Sequence, residues 1–192
     1  MRDAEATRAR ILAAATTEFA AHGLAGGRVD RIAAAARANK AQLYAYFGNK
    51  DALFDTVFTR QVESNIHRVP LTASDLPGYA VALYDFYLAD PALVRLATWA
   101  RLERTPTGDL LPTDGTWAEN LDRVARAQAN GVLVDDLAPA DLFSLLVGVA
   151  LTWAQASLTR TANATEPPAD HVRRRAALAA TVERAFCAPG RA

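Results

Sequence analysis

Apolar residues recur three and four positions apart along most of this chain, and no segment alternates apolar with polar at period two. Such a pattern buries one face of a helix after another and leaves no half-buried strand, so the expected fold class is all-α. Composition agrees with the pattern. Apolar residues make up 51% of the 192, and Ala and Leu outweigh the β-branched types that favour sheet.

Punctuation divides the pattern. A first helix is expected from about Thr7 to Ala21, with Ile11, Leu12, Ala15 and Phe19 on one face, and Gly23 suits the left-handed position that ends it. Gly26-Gly27 marks a turn before a short helix with Val29, Ile32, Ala33 and Ala36 inward. Asn39 and Asn49 each precede a further helix and can accept first-turn N–H bonds as caps; the later one carries Leu53, Phe54, Val57 and Phe58. Beyond Pro70, helices are expected at Leu76–Ala89, Ala92–Arg104, Thr116–Ala129, Ala140–Thr159 and Asp170–Cys187. Asp90-Pro91 is a start signal, and loops rich in Thr, Pro, Gly or Asn fall at Thr105–Gly115 and Arg160–Ala169.

Several function classes find no support. There is no Gly-rich phosphate loop, nucleophile elbow or Cys/His pairing, so no enzyme and no cofactor is expected. Cys187 is the only cysteine, and His22, His67 and His171 have no partner at ligand spacing, which argues against a metal site. The N-terminus opens on charges rather than an apolar leader, and the longest apolar run, Leu142 to Ala154, is interrupted by Ser144, Gly148 and Thr152. The expectation is a cytoplasmic chain with no membrane partner. Net charge is zero, yet residues 1–50 hold eight Lys/Arg against four acids. A basic head on an acidic body suits an anionic partner at one end.

The chemistry-bearing stretch runs from Val29 to Phe54. Two short helices joined by a tight turn and braced by a third form a helix-turn-helix unit, whose second helix can enter the DNA major groove. Lys40 and Gln42 lie in the first turn of that helix, offering a cation and an amide. Tyr44 and Tyr46 follow as possible phosphate donors, and Lys50 opens the next helix. Lys40 and Lys50 are the only lysines in the chain. Each sits at a helix N-terminus, where a cation opposes the helix dipole unless a phosphate is bound. Other readings stay open: Gln42 can instead complete a capping box with Asn39, and Tyr44 or Tyr46 can belong to the core.

His22-Gly23, Ile32-Ala33, the run Lys40-Ala41-Gln42-Leu43-Tyr44-Ala45-Tyr46-Phe47 and Lys50-Asp51-Ala52-Leu53 together closely resemble the TetR family of repressors. The resemblance covers roughly the first quarter of the chain. It implies a dimer, an effector pocket in the body and dimerisation through the last two long helices. Three positions depart from the family pattern. Arg37 stands where the turn usually has Gly; Gly27-Arg28 replaces a hydroxyl residue, so that Gly27 would cap and Arg28 would meet phosphate; and Ala41 replaces a common Gly, placing a methyl where a thymine methyl can meet it. Arg28, Arg37, Asn39, Lys40, Ala41, Gln42, Tyr44, Tyr46 and Lys50 are thus the candidate DNA residues, in a domain spanning 1–50.

Residues 51–192 are read as the effector-binding and dimerisation domain. Leu142, Leu145, Leu146, Val149, Trp153 and Ala156 recur at helical spacing, and the final helix adds Val172, Leu178, Val182 and Phe186. Paired with a second copy, the helices at about 140–159 and 170–187 would make a four-helix interface, presenting two recognition helices to one palindromic operator. Tyr79, Tyr84, Phe86, Tyr87, Trp99, Trp117 and Trp153 are candidate lining residues for a small, largely apolar or aromatic effector. Arg173-Arg174-Arg175 reads as a solvated or salt-bridged surface. The function expected is repression relieved by that effector; an activator of the same fold, or a helical carrier without DNA binding, are the alternatives.

Overall fold

The computed structural model of the protein describes residues 2–108, 110 and 115–189, with side chains from residue 4 onward. Part of the loop expected at Thr105–Gly115 therefore lies outside the described residues. Among those described, the elements are α1 (Arg2–Gly26), α2 (Val29–Ala35), α3 (Lys40–Phe47), α4 (Lys50–Arg68), α5 (Leu76–Ala89), α6 (Ala92–Glu103), α7 (Thr116–Ala129), α8 (Pro139–Ala150) and α9 (Pro168–Phe186). The single β-type pairing among them is an isolated antiparallel bridge between Leu133 and Cys187. The fold is all-α, as the periodicity requires. No described helix is long and apolar enough to cross a membrane.

Packing groups residues 1–64 with 92–110. In this unit Ile11, Leu12, Ala15 and Phe19 of α1 meet Ile32 and Ala36 beside α2, Leu43 and Phe47 of α3, Leu53, Phe54 and Val57 of α4, and Leu96 and Ala100 of α6. Each fully buried Leu, Ile or Phe contributes on the order of 1.5–3 kcal/mol. Phe19 and Phe54 stack edge to face with centroids 5.3 Å apart. Gly27 lies so close to that pair that a Cβ there would fall 2.7 Å from the Phe19 ring.

Helix α1 begins earlier than Thr7 because Ala4, Glu5 and Ala6 are good helix formers. It breaks at Gly23, whose φ of 70° is the left-handed geometry expected of that glycine. Glu103 of α6 then accepts N–H bonds from Leu24 (2.7 Å) and Ala25 (3.1 Å), capping the turn that follows the break. Trp99 donates its indole N–H to the Ala20 carbonyl at 3.3 Å.

The second unit comprises residues 65–91 and 111–192. Its core includes Leu76, Leu83 and Tyr84 of α5, Val124 of α7, Leu142 and Leu146 of α8, and Leu178, Val182 and Phe186 of α9. Asp75 caps α5 by accepting the Gly78 N–H at 2.8 Å. Two expectations are corrected here. Helix α8, instead of continuing to Thr159, stops at Ala150, where turn bonds take over, Thr152 N–H to Val149 O and Ala154 N–H to Leu151 O. Trp153 thereby leaves the face of Leu142 and Leu146, and Leu145 is half exposed. Of Arg173-Arg174-Arg175, all three are salt-bridged as expected, but Arg174 is not at the surface: it lies in register with His171, Leu178 and Val182 on the inner face of α9 and is 3% exposed.

Candidate nucleic-acid interface

Helix α3 is held by both ends of a reciprocal cap. The Asn39 side chain accepts the Gln42 N–H at 2.8 Å, and the Gln42 side chain accepts the Asn39 N–H at 3.1 Å. Of the two readings open for Gln42, the capping box is therefore formed. Leu43 and Phe47, four residues apart, are buried and anchor the helix. Lys40, Ala41, Gln42, Tyr44, Ala45 and Tyr46 all remain exposed. Tyr44 does not share the buried face of Phe47: it is 44% exposed and Tyr46 37%. The result is a short helix fixed on one side and presenting an amide, a cation, two phenols and two methyls on the other.

The flanking residues are placed by local chemistry. Arg37 adopts φ 51°, and among the described residues no other non-glycine has positive φ. The turn thus has the geometry for which Gly is usual, at a cost of roughly 1 kcal/mol for a residue with a Cβ. Its side chain is exposed. The cap position of α2 is occupied by Arg28 rather than Gly27, and no side chain of its own caps the helix. Glu18 takes part of that role, accepting the Arg28 N–H at 2.8 Å while also bonding Arg31. Burial pushes the Glu18 carboxyl up, but Arg31 and the Arg28 amide outweigh it and leave it below the ordinary carboxylate value. Arg28 itself projects an exposed side chain.

Both lysines have protein partners. Lys40 Nζ sits 2.7 Å from Asp30, whose charge raises the lysine pKa. Lys50 Nζ reaches the Gly27 carbonyl at 3.2 Å and the Ala25 carbonyl at 3.4 Å, so carbonyl ends near α1 offset a cation that opposes the α4 dipole. Position 50 is thus explained by structure alone, whereas the exposed Lys40–Asp30 pair is worth little and readily exchanged. Two basic residues not singled out from the sequence also buttress this region. Arg10 donates to the Ala36 carbonyl at 3.1 Å, and the Arg8 guanidinium lies 5.3 Å from the Phe47 ring centre. Neither carries a sequence signal beyond its place on α1.

In the second unit, three of the seven candidate aromatics, Tyr84, Tyr87 and Trp153, line one cavity of about 200 Å³ together with Leu88 and Ala150. Tyr79 and Phe86 are buried outside its lining, Phe86 beneath the Arg68 guanidinium. Trp117 packs on Phe143 with centroids 5.0 Å apart. Trp99 belongs to the first unit, against Gly23. Burial pushes the Tyr79 phenol up to about 12, and Tyr87 higher still, so both remain neutral donors.

Residues 11–57 match the family of bacterial regulatory proteins called the tetR family, and residues 75–184 match the tetracyclin repressor-like C-terminal domain. The chain belongs to the TetR family of transcriptional regulators. It is 43% identical over 157 residues to the HTH-type transcriptional repressor SCO4008 of Streptomyces coelicolor, covering 80% of each chain. The HTH-type transcriptional repressor NicS of Pseudomonas putida is 29% identical over 147 residues, covering 70% of this chain and 69% of that one. The crystal structure of the Streptomyces coelicolor transcriptional regulator SCO4942 superposes with a TM-score of 0.78 at 42% identity, over 95% of this chain and 99% of the other.

TetR-family proteins are transcriptional regulators rather than enzymes, binding DNA operators and small-molecule effectors and acting as dimers. Within this TetR chain the tetR-family match brackets α2, the Arg37 turn and all of α3.

Proposed function

We propose that this chain is a cytoplasmic repressor that binds a palindromic operator as a homodimer and is released by a small, largely apolar or aromatic effector. Residues 1–50 make the DNA contacts and residues 51–192 bind the effector and the second copy. One observation carries the reading: α3 keeps Leu43 and Phe47 buried while its outward residues from Lys40 to Tyr46 remain in water. Ala41 and Gln42 face base edges; Lys40, Tyr44, Tyr46, Arg28 and Arg37 contact phosphate; Asn39 and Lys50 hold the helix and offer further polar contact. A free phosphate replaces Asp30 at Lys40.

Half-exposed Leu145 on α8 and the exposed Val172 of α9 support a second copy seated on these helices, since a monomer leaves both to water. Two copies of α3 then meet half-sites about 34 Å apart. Repression ends when effector binding lowers operator affinity by a coupling energy of about 1–3 kcal/mol.

The test is a gel shift with a duplex selected from random sequence by the protein itself. Binding should weaken steeply with added salt, and Lys40→Ala should flatten that dependence by about one contact. Salt-independent binding, or a monomeric complex on a single half-site, contradicts the reading.

A further inference from the structure

We propose that the cleft between the turn after α8 and the start of α9 is an anion site that takes the carboxylate of a flat aromatic acid. The proposal rests on the effector reading above and names the ligand's chemical class. Trp153, Arg160, Asp170, Arg173, Arg174 and Ala177 line this cleft of about 330 Å³, and Trp153 is also a wall of the Tyr84–Tyr87 cavity.

Arg174 is the centre of the argument. It is 3% exposed, and its guanidinium lies over the Trp153 ring, 5.9 Å from the centroid. One arm, Nη1, donates to Glu166; the other, Nη2, is buried without a partner at hydrogen-bond geometry, the Tyr84 hydroxyl being the polar neighbour on the protein side of the guanidinium. Buried polar groups are nearly always paired, and an apolar residue of similar volume would be as stable or more so here. A half-paired buried guanidinium is better explained by a ligand than by packing.

Charge points the same way. Glu166 is shared by Arg174 and Arg160, the latter at 3.0 Å. Arg173 is paired with Asp170 and Arg175 with Asp85. Four guanidinium groups therefore face three carboxylates, and the surplus is one positive charge. A monoanion balances it; a cation adds to it. Behind Arg174 the Tyr84 hydroxyl lies 2.7 Å from His171 Nδ1, and His171 Nε2 is a second buried atom with no partner. We assign His171 and Tyr84 as positioning residues. Nη2 of Arg174, the arm that Glu166 leaves free, receives the carboxylate, and the indole of Trp153 supplies a face for the ring.

The experiment titrates the full-length protein with naphthoate, its neutral isostere naphthamide and the cation naphthylmethylammonium, read by calorimetry. Naphthoate should bind saturably, naphthamide roughly tenfold or more weakly, and the cation least. Arg174→Lys, which keeps the charge but loses the fork, should cost naphthoate roughly tenfold as well. If that variant does not fold, the three-ligand series on the unaltered protein still decides. Equal affinity for naphthamide, preference for the cation, or no saturable naphthoate binding overturns the anion site. Adding each ligand to the operator complex separates the two claims. Naphthoate that binds but leaves the complex intact defeats effector release and keeps the anion site. Release by naphthamide with no naphthoate binding does the reverse.

Discussion

The outward face of α3 and the corner around Arg174 hold their polar groups in opposite ways. On α3 the exposed donors are either in water or matched by an adjacent polar group: Gln42 with Asn39, Lys40 with Asp30 of α2. At Arg174 and His171, by contrast, two polar atoms, Nη2 and Nε2, are withdrawn from water without a hydrogen-bond partner. A surface that must meet many phosphates and bases keeps its groups solvated until contact, so that only a weak local pair is lost on binding. A site for one small ligand can instead keep polar groups dry and half-paired, where each is worth more to the right ligand. Both arrangements occur in the same chain.

Predictions sharpen that contrast, beginning with the rigid support beneath α3. At Gly23 a Cβ would meet Glu103 at 2.6 Å and Trp99 at 2.8 Å in a left-handed backbone. Gly23→Ala should therefore cost about 3 kcal/mol in urea unfolding, combining backbone strain with overpacking. A loss below roughly 1 kcal/mol would mean that α6 does not press on this break. Asn39→Ala removes one half of the capping box and should cost about 1 kcal/mol. Arg37→Gly should act in the opposite direction, raising stability by roughly 0.5–1 kcal/mol while lowering the salt dependence of operator binding by about one contact. If it instead destabilises, the left-handed turn is wrong.

Acid titration compares the two regions most finely. Burial works against the charge of Glu18, yet Arg31 and the Arg28 amide leave its pKa lowered; bonds from Arg174 and Arg160 bring Glu166 down to about 2. A carboxylate whose pKa is depressed on folding contributes stability that is full above its unfolded value near 4.5 and fades as pH falls through the folded value. Thermal midpoints should hold above pH 4.5 and fall steadily towards pH 2. Glu166→Gln should make that slope shallower and leave the part owed to Glu18. An unchanged slope in the variant would show that Glu166 is not held by its arginines.

Local features were the legible ones. The break at Gly23, the caps at Asn39 and Asn49 and the bounds of α5 and α7 all depend on residues within a few positions of one another, whereas the left-handed turn at Arg37 was suggested only by the family's usual Gly there. Helix α8 was read too long because both its apolar spacing and its helix formers, Leu151, Ala154, Gln155 and Ala156, continue past Ala150, so no local signal marks the stop. The grouping of α6 with α1 depends on contacts some eighty residues apart, such as Glu103 with Leu24, and no periodicity encodes that. The Arg174 corner draws on residues 84, 153, 166, 171 and 174. One signal did exist: 171, 174, 178 and 182 share a helix face, so an arginine in that register had to be buried or paired.

Operator affinity of the Tyr44→Ala, Tyr46→Ala double variant tests the central claim most directly, because both rings are exposed and their loss should leave the core intact. Fluorescence anisotropy on the selected duplex should show binding weakened roughly tenfold or more while the unfolding midpoint stays put. Affinity equal to that of the unaltered protein would mean that DNA is read by some face other than the outward side of α3.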